Sequence, residues 1–316
     1  MQPTSSFIAI RKLLTITAVL ILIVVTLLVV TVLFAFTGRD RSALFGRPSS
    51  ISIDGVRRTY RTVGGSRQGA EQKLVVALHG FGGNGRQFAY YTALHNAFDG
   101  GTTVVYPDAF KKTKGGDKPG WNAQFCCGSG WRNGIDDVAF LSALITKVTK
   151  ERNIPGNRVF VVGFSNGGFM AQRLAAERPE LLAGVAVMSG TIGTKRITLQ
   201  PTKPLPMLLT HGVKDQRVRY DGGESPGDPE FDWLSFSTTV KAWRAANGCA
   251  AGTGKVTTTP RRVTTVYEQC DAPLTVIEYS NNGHVWDGWR LADVWNRRPR
   301  ASKEVARFIN SLAPMR

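Results

Sequence analysis

Short apolar runs recur along the chain and are separated by longer segments with a helical pattern. Runs such as Leu74–Leu78 and Val159–Val162 are continuously apolar, as expected for strands buried on both faces of a sheet. The segment 136–151 repeats apolar residues at spacings of three and four, which predicts a helix. Strands that alternate with helices predict an α/β domain with a mostly parallel central sheet flanked by helices.

The predicted elements follow one another without an internal repeat. A hairpin that turns at Asp54-Gly55 opens the domain. Two long segments, 109–134 and 218–231, have no regular pattern, and long loops in a compact domain are usually functional. We predict strands over 73–79, 102–106, 158–164, 183–188, 205–210 and 274–279, and helices over 86–98, 136–151, 167–178, 234–247 and 300–312.

The beginning of the chain has a different pattern. An uncharged apolar run over 13–36 follows Arg11-Lys12 and is long enough for an α-helix to span a bilayer core. We therefore predict a short tail at 1–12, a transmembrane signal anchor at 13–37, a tether at 38–50 and one large α/β domain at 51–316. A cleaved signal peptide, which would leave a secreted protein, is the alternative.

The chain is strongly basic. It has 40 Lys and Arg against 23 Asp and Glu, which gives a net charge of +17 and a pI of about 10.1. The basic residues are scattered, and no sequence motif of a nucleic-acid-binding module is present, so we expect no nucleic-acid partner. We interpret the charge as a solvated surface that favours proximity to an anionic envelope.

One strand-to-helix junction carries a candidate nucleophile. Gly163-Phe164-Ser165-Asn166-Gly167 follows an apolar strand and precedes a segment of good helix formers. This order is typical of a nucleophile elbow, a turn so tight that both flanking positions are glycine and the serine Oγ projects above the sheet edge. An ordinary glycine turn is the alternative, and we predict that Ser165 is catalytic.

A serine nucleophile needs an imidazole base and a carboxylate that orients it, and in this arrangement they follow in the order Ser, Asp, His. We expect His284, on the loop after the strand at 274–279, to be the base. His211 ends a predicted strand, and we expect it to be structural. Asp215, on the loop after that strand, is the predicted acid. Its competitors are Asp221, Asp228 and Asp232.

Acyl transfer also needs two backbone N–H donors for the oxyanion. We expect one from Asn166 and the other from Phe81 or Gly82, in the glycine-rich loop after the first parallel strand. Such a loop could instead cradle a phosphate, but the chain has neither a P-loop nor a dinucleotide-binding fingerprint. His79 begins this loop, and we expect it to orient the loop.

Further motifs fit the same scheme in chain order. They are Leu74–Asn84, Val104–Asp108, Trp121-Asn122, Cys126-Cys127-Gly128, Asp136–Phe140, Gly163–Gly168, His211–Asp215 and Asn282–Trp286. From about residue 50 to the end, the chain resembles the extracellular polyhydroxybutyrate depolymerase and feruloyl esterase group of α/β-hydrolases. The resemblance implies an α/β-hydrolase fold, a triad of Ser165, Asp215 and His284, and an oxyanion loop at Phe81-Gly82, the residues that the chemistry also selects.

The four cysteines indicate an oxidising compartment. Cys249 and Cys270 flank a polar Gly- and Thr-rich stretch, as in a stapled loop. Four cysteines allow three pairings, and we prefer Cys249–Cys270 with a vicinal Cys126–Cys127 bridge over free buried thiols at Cys126 and Cys127. We therefore expect the domain to be extracytoplasmic, with the membrane contacted through the N-terminal helix.

The substrate pocket is the least determined part of the site. Trp121, Trp131 and Trp286 could together line an aromatic acyl pocket, although packing is the preferred interpretation for each of them taken singly. No set of residues has the spacing of a metal site, and we expect no cofactor.

These observations lead to one preferred function and two alternatives. We expect a serine carboxylic-ester hydrolase acting on a small ester, an oligomeric polyester or a feruloylated carbohydrate. An envelope acyltransferase could use the same triad, and a binding protein could retain the fold without catalysis.

Overall fold

The computed structural model describes residues 15–27, 47–65, 72–112, 116–225, 228–252, 254–287 and 300–312. They belong to two compact units, one within Met1–Arg41 and the other within Ser42–Arg316. In the first unit, residues 15–27 form a helix whose side chains are exposed. The described ranges contain no helix that is both long and apolar enough to cross a membrane. They include only part of the predicted anchor at 13–37, and the predicted tail at 1–12 lies outside them.

Within the described part of the second unit, ten strands form one sheet, and two short strands form a separate hairpin. The order in the large sheet is β1-β2-β4-β3-β5-β6-β7-β12-β11-β10. The strands are β1 (Ser49–Ile53), β2 (Val56–Gly64), β3 (Lys73–Leu78), β4 (Thr102–Pro107), β5 (Val159–Phe164), β6 (Gly184–Met188), β7 (Met207–Gly212), β8 (Gly223–Ser225), β9 (Asp228–Trp233), β10 (Gly254–Thr259), β11 (Arg262–Tyr267) and β12 (Leu274–Tyr279).

The centre of the sheet is parallel and both of its edges are antiparallel. Strands β4, β3, β5, β6, β7 and β12 pair in parallel, with Val76 opposite Val161 and Val162 opposite Ala186. The β1–β2 hairpin joins β4 at one edge, and β11 and β10 extend the other edge. The predicted mostly parallel sheet is confirmed.

The helices occupy both faces of the sheet. They are α1 (Gly85–Thr92), α2 (Gly128–Arg132), α3 (Asp137–Arg152), α4 (Asn166–Glu177), α5 (Phe236–Ala246) and α6 (Arg300–Ser311), with short 3₁₀ turns at Leu94–Ala97, Gly156–Arg158 and Pro179–Leu181. Successive residues of β3 point to opposite faces, as a pleated strand requires. Leu74 and Val76 therefore join the core under α3, α4 and α5, while Val75 and Ala77 join the core under α1 and α6.

The six predicted strands and four of the five predicted helices are confirmed to within two residues. The predicted helix at 86–98 is wrong in its second half. It stops at Thr92 because Ala93 adopts a left-handed conformation with φ 41°. There the Thr92 hydroxyl accepts from the Leu94 amide and donates to the Phe88 carbonyl, which replaces helical bonds.

Three elements were not predicted, namely α2, the β8–β9 hairpin and the β10–β11 hairpin. Along β10, every side chain after Gly254 is exposed, so no alternation of apolar and polar residues marks the strand. Its threonines favour extended structure, but the pairing with β11 and then β12 is what defines it.

Candidate active site

Ser165 occupies the turn between β5 and α4. Its backbone has φ 55° and ψ −123°, a conformation that L-residues rarely adopt and that persists only where the surrounding structure enforces it. The flanking glycines enforce it here. A Cβ at Gly163 would lie 2.1 Å from the Gly167 carbonyl oxygen, and a Cβ at Gly167 would lie 2.2 Å from that of Leu78. Larger residues at these positions would force the turn open.

Two loops from the carboxyl ends of neighbouring strands bring an imidazole and a carboxylate to Ser165. His284 follows β12 and Asp215 follows β7. The His284 Nε2 lies 2.8 Å from the Ser165 Oγ, and the His284 Nδ1 lies 2.7 Å from the Asp215 Oδ2. The three side chains thus form a continuous chain of hydrogen bonds, although they lie 50 and 69 residues apart along the sequence.

Asp215 is held as a hydrogen-bond acceptor in a buried position. The residue is 1% exposed, and its Oδ1 accepts from the backbone amides of Arg217 at 2.9 Å and Val218 at 3.0 Å. The other oxygen is thereby directed to His284. Both carboxylate oxygens therefore act as hydrogen-bond acceptors in fixed directions.

His211 lies beside this carboxylate on β7, the strand at whose end we expected it. Its Nε2 lies 2.8 Å from the Val218 carbonyl oxygen and 3.4 Å from the Asp215 Oδ2. Burial lowers the pKa of His211, so the ring is neutral, and the Nε2–H donates to the carbonyl. His211 thus supports the loop that carries Asp215.

The loop after β3, residues 79–84, is called here the oxyanion loop. The Gly82 N–H donates to the Pro119 carbonyl at 2.8 Å, so the prediction that Gly82 can supply an oxyanion donor is wrong in this structure. In the described part of the chain, the Phe81 N–H has no hydrogen-bond partner. Asn166 is the first residue of α4, where an N–H has no intrahelical acceptor. Phe81 and Asn166 therefore remain as the candidate donors.

His79 anchors the oxyanion loop from the inside. Burial lowers its pKa to about 4, so the ring is neutral at physiological pH. The Nε2 accepts from the Ala109 amide at 3.0 Å, and the Nδ1–H donates to the Gly80 carbonyl at 2.8 Å. The Trp121 indole N–H donates to the His79 carbonyl at 2.9 Å, which ties the following long loop to the same point.

The Asn166 side chain has a role that was not predicted. Its Oδ1 accepts from the Trp121 amide at 2.7 Å, and its Nδ2 donates to the Trp121 carbonyl at 3.0 Å. This two-point contact fastens residues 116–127 to the turn that carries Ser165. The residue inside G-x-S-x-G carries no signal for such a contact, because its partner is 45 residues away.

Two of the three tryptophans predicted to line an acyl pocket are in the cores instead. Trp121 has no exposed surface and stacks on Phe140 with 6.4 Å between ring centroids. Trp286 is 4% exposed and packs edge-on against Phe88, with its indole N–H bonded to Ser302. Those two pocket assignments are therefore wrong. Trp131 is half-buried and lies against Phe231, so it keeps some contact with solvent.

Both preferred disulfides are confirmed. Cys126 pairs with Cys127, and Cys249 pairs with Cys270, which leaves none of the four cysteines free. The Cys249–Cys270 bridge joins the segment after α5 to the segment after β11. In the described ranges, no group of three or more His, Cys, Asp or Glu residues is arranged to hold a metal ion.

The phospholipase/carboxylesterase family matches residues 63–225, which is just over half of the chain. Over 258 residues the chain is 28% identical to "Putative esterase NocK" of Nocardia uniformis, covering 75% of the chain and 73% of that relative. It is 27% identical to "Probable feruloyl esterase C" of Aspergillus terreus, covering 68% and 70%, respectively. It is also 26% identical to feruloyl esterase B of Piromyces equi, covering 59% of the chain and 34% of that relative.

Solved structures show the same fold. An acetyl xylan esterase from Aspergillus awamori superposes with a TM-score of 0.53 at 18% identity, covering 76% of this chain and 94% of that one. A carboxylesterase from Mesorhizobium loti superposes with a TM-score of 0.51 at 12% identity, covering 83% and 99%. At these identities the likeness establishes the α/β-hydrolase fold, and the chemistry has to be argued from the site itself.

Proposed function

Because the chain belongs to the phospholipase/carboxylesterase family of α/β-hydrolases, we propose that it is a serine carboxylic-ester hydrolase that works through an acyl-enzyme on Ser165. The observation that carries the proposal is the hydrogen-bonded series Ser165–His284–Asp215 at the strained turn after β5. An imidazole nitrogen 2.8 Å from a serine hydroxyl is placed to accept its proton as the oxygen becomes a nucleophile.

In the first half of the reaction, the Ser165 Oγ attacks the ester carbonyl carbon and its proton passes to the His284 Nε2. Asp215 accepts the Nδ1–H of His284 throughout and stabilises the imidazolium. The N–H groups of Phe81 and Asn166 donate to the oxyanion of the tetrahedral intermediate. Since Asn166 begins α4, the positive end of the helix dipole adds to that stabilisation.

Collapse of the intermediate breaks the bond to the alcohol oxygen, and the alcohol leaves with the proton from His284. A water molecule then attacks the acyl-Ser165 carbonyl while His284 takes the proton of that water. The second intermediate releases the carboxylic acid and returns the proton to Ser165. The atoms balance with water as the sole co-reactant.

For the substrate class, we propose an acyl ester of a carbohydrate. Relatives named as feruloyl esterases support this class, as does the structural likeness to a protein named as an acetyl xylan esterase. The resemblance to polyhydroxybutyrate depolymerases keeps a hydroxybutyryl oligomer as the competing acyl donor. Acyl transfer to an alcohol would use the same triad and is distinguished by its product.

We also propose that the domain works outside the cytoplasm. The two disulfides support this location because structural disulfides persist in oxidising compartments. The signal anchor at 13–37 is the proposed means of attachment and rests on the apolar run of the sequence. Fractionation of cells with an antibody to the full-length protein tests both points together.

The test of catalysis is hydrolysis of acetyl, feruloyl, butyryl and hydroxybutyryl-oligomer esters by the full-length protein and its Ser165→Ala variant. We expect kcat to fall at least about 1,000-fold in Ser165→Ala, because the nucleophile is lost. Ser237→Ala, at an exposed position of α5, is the matched control and should retain wild-type turnover.

A fluorophosphonate should label the wild type stoichiometrically and leave Ser165→Ala unlabelled. Wild-type turnover in Ser165→Ala would overturn the assignment. Labelled protein without turnover on any ester would favour the acyltransferase, to be identified by an acylated alcohol product. A folded protein that neither turns over nor reacts would favour the binding protein.

A further inference from the structure

A polar cleft of about 540 Å³ lies beside the oxyanion loop, and no step of the proposed reaction uses it. Gly82 and Gly83 form part of its wall, so a ligand in the cleft contacts the loop within two residues of Phe81. The remaining walls come from β2, the first turn of α1 and the segment after β4. The cleft is therefore adjacent along the chain to a proposed oxyanion donor.

Strand β2 lines this cleft with three arginines, Arg57, Arg58 and Arg61. Arg57 and Arg61 lie with Thr59 on one face of the strand, because alternate residues of a pleated strand share a face. Arg58 is committed elsewhere, since its guanidinium lies 2.6 Å from the Asp137 carboxylate. In the part of the chain that the structure describes, Arg57 forms no ion pair with a carboxylate.

Two further cations complete the lining. Arg86 lies in the first turn of α1, where a cation adds to the positive end of the helix dipole instead of offsetting it. Lys111, after β4, is exposed and has no carboxylate partner among the described residues. Asp108 is the sole carboxylate among the described lining residues, and it already accepts from the Thr59 hydroxyl and the Gly85 amide. The cleft therefore has an excess of positive charge.

We propose that this basic cleft binds an anionic sugar residue of the polysaccharide that carries the ester. This proposal rests on the proposed function. Guanidinium groups donate paired hydrogen bonds to carboxylates, and the exposed Arg57 presents one on the cleft face of β2. The side-chain amides of Asn84 and Gln87 also line the cleft and suit sugar hydroxyls. A uronate bound here would contact Gly82 and Gly83 of the oxyanion loop.

The test is calorimetric binding of tri-galacturonate to the full-length Ser165→Ala protein, so that binding is read without turnover. We expect binding that weakens as salt rises from 50 to 500 mM, since the charges are exposed. The double substitution Arg57→Gln/Lys111→Gln in the same background should raise the dissociation constant about tenfold. Lys241→Gln/Lys255→Gln removes the same charge from exposed positions on α5 and β10 and should leave binding unchanged.

Inorganic phosphate and a neutral galactose trimer are titrated in parallel. Cleft-dependent binding of tri-galacturonate, with no binding of the neutral trimer, supports the proposal. Cleft-dependent binding of phosphate without tri-galacturonate overturns it in favour of a phosphate site. Absence of tri-galacturonate binding, or equal weakening by both double substitutions, also overturns it. Because turnover is measured separately with the ester panel, loss of this proposal and loss of the esterase proposal are distinguishable.

Discussion

At the scale of single residues, the candidate site depends on what holds each reactive group in place. Asp215 is buried with two backbone amides on one oxygen and His284 on the other, so its carboxylate cannot turn away. His211 touches the same carboxylate but is fixed to the Val218 carbonyl. Both histidines lie close to Asp215, but their hydrogen bonds differ. His284 bonds to the carboxylate, whereas His211 bonds to a backbone carbonyl.

Replacing Asp215 with Asn should reduce kcat by about 1,000-fold or more on any ester that the protein hydrolyses. The amide can present its N–H₂ group to the His284 Nδ1, which favours the tautomer that cannot accept the serine proton. Asp221→Asn is the matched control, because Asp221 is an exposed carboxylate on the same loop and was a competitor from the sequence. An equal loss of kcat in both variants would contradict the assignment of the acid.

At the scale of elements, residues 116–127 are held at several points beside the candidate site. Asn166 binds the backbone of Trp121, and Asp137 on α3 accepts from the Asn122 amide at 2.7 Å. The same carboxylate pairs with Arg58 of β2, whose guanidinium lies 4.0 Å from the centre of the Phe140 ring. A buried ion pair thus joins β2 and α3, and its carboxylate also holds the segment over 116–127 beside the candidate site.

Removing one partner of this pair should destabilise the fold strongly. Arg58→Met leaves a buried carboxylate without its cation and should lower the free energy of unfolding by about 3–5 kcal/mol. Asp137→Leu in addition to Arg58→Met should recover part of that loss, because no unpaired charge remains. Urea denaturation measures both variants, with the exposed neighbour Arg57→Met as a control that changes stability by about 0.5 kcal/mol or less. If Arg58→Met lowered the free energy of unfolding only slightly, the Arg58–Asp137 pair would not be held away from water.

At the scale of the whole molecule, two buried histidines make stability depend on pH. Burial lowers the pKa of His79 to about 4 from an ordinary value of 6.5, and it lowers the pKa of His211 as well. Between pH 4 and pH 6.5, the unfolded chain binds a proton at His79 that the folded chain excludes. The free energy of unfolding therefore falls as the pH falls through this window.

For His79 this difference in pKa corresponds to about 3 kcal/mol lost between pH 6.5 and 4. Urea denaturation at pH 7, 6, 5 and 4.5 should show the decline in the wild type. His79→Gln should be less stable at pH 7 yet lose less over the same interval, because it no longer contributes its own protonation. Identical pH dependence in wild type and variant would show that His79 is protonated equally in both states.

Much of the fold could be predicted because its signals are local. Continuous apolar runs mark the central strands, and the order of the strand at 158–164, the Gly-x-Ser-x-Gly turn and the helix at 167–178 marks the nucleophile elbow. The exposed hairpin β10–β11 had no such signal, since its position depends on pairing with β12. Edge strands of this kind are defined by their neighbours more than by their own pattern.

The sequence by itself determined the central strands, the turns and most of the helices, and their order along the chain, because strand, turn and helix propensities act over a few neighbouring positions. Ser165, Asp215 and His284 could be proposed as a triad for that reason. Tertiary structure alone decided that the Pro119 carbonyl accepts a hydrogen bond from the Gly82 N–H. It also decided that Trp121 and Trp286 are buried in the cores. It also decided which cations surround the basic cleft. These outcomes depend on which distant segments meet, and hydrogen bonding and burial act across space, not along the chain.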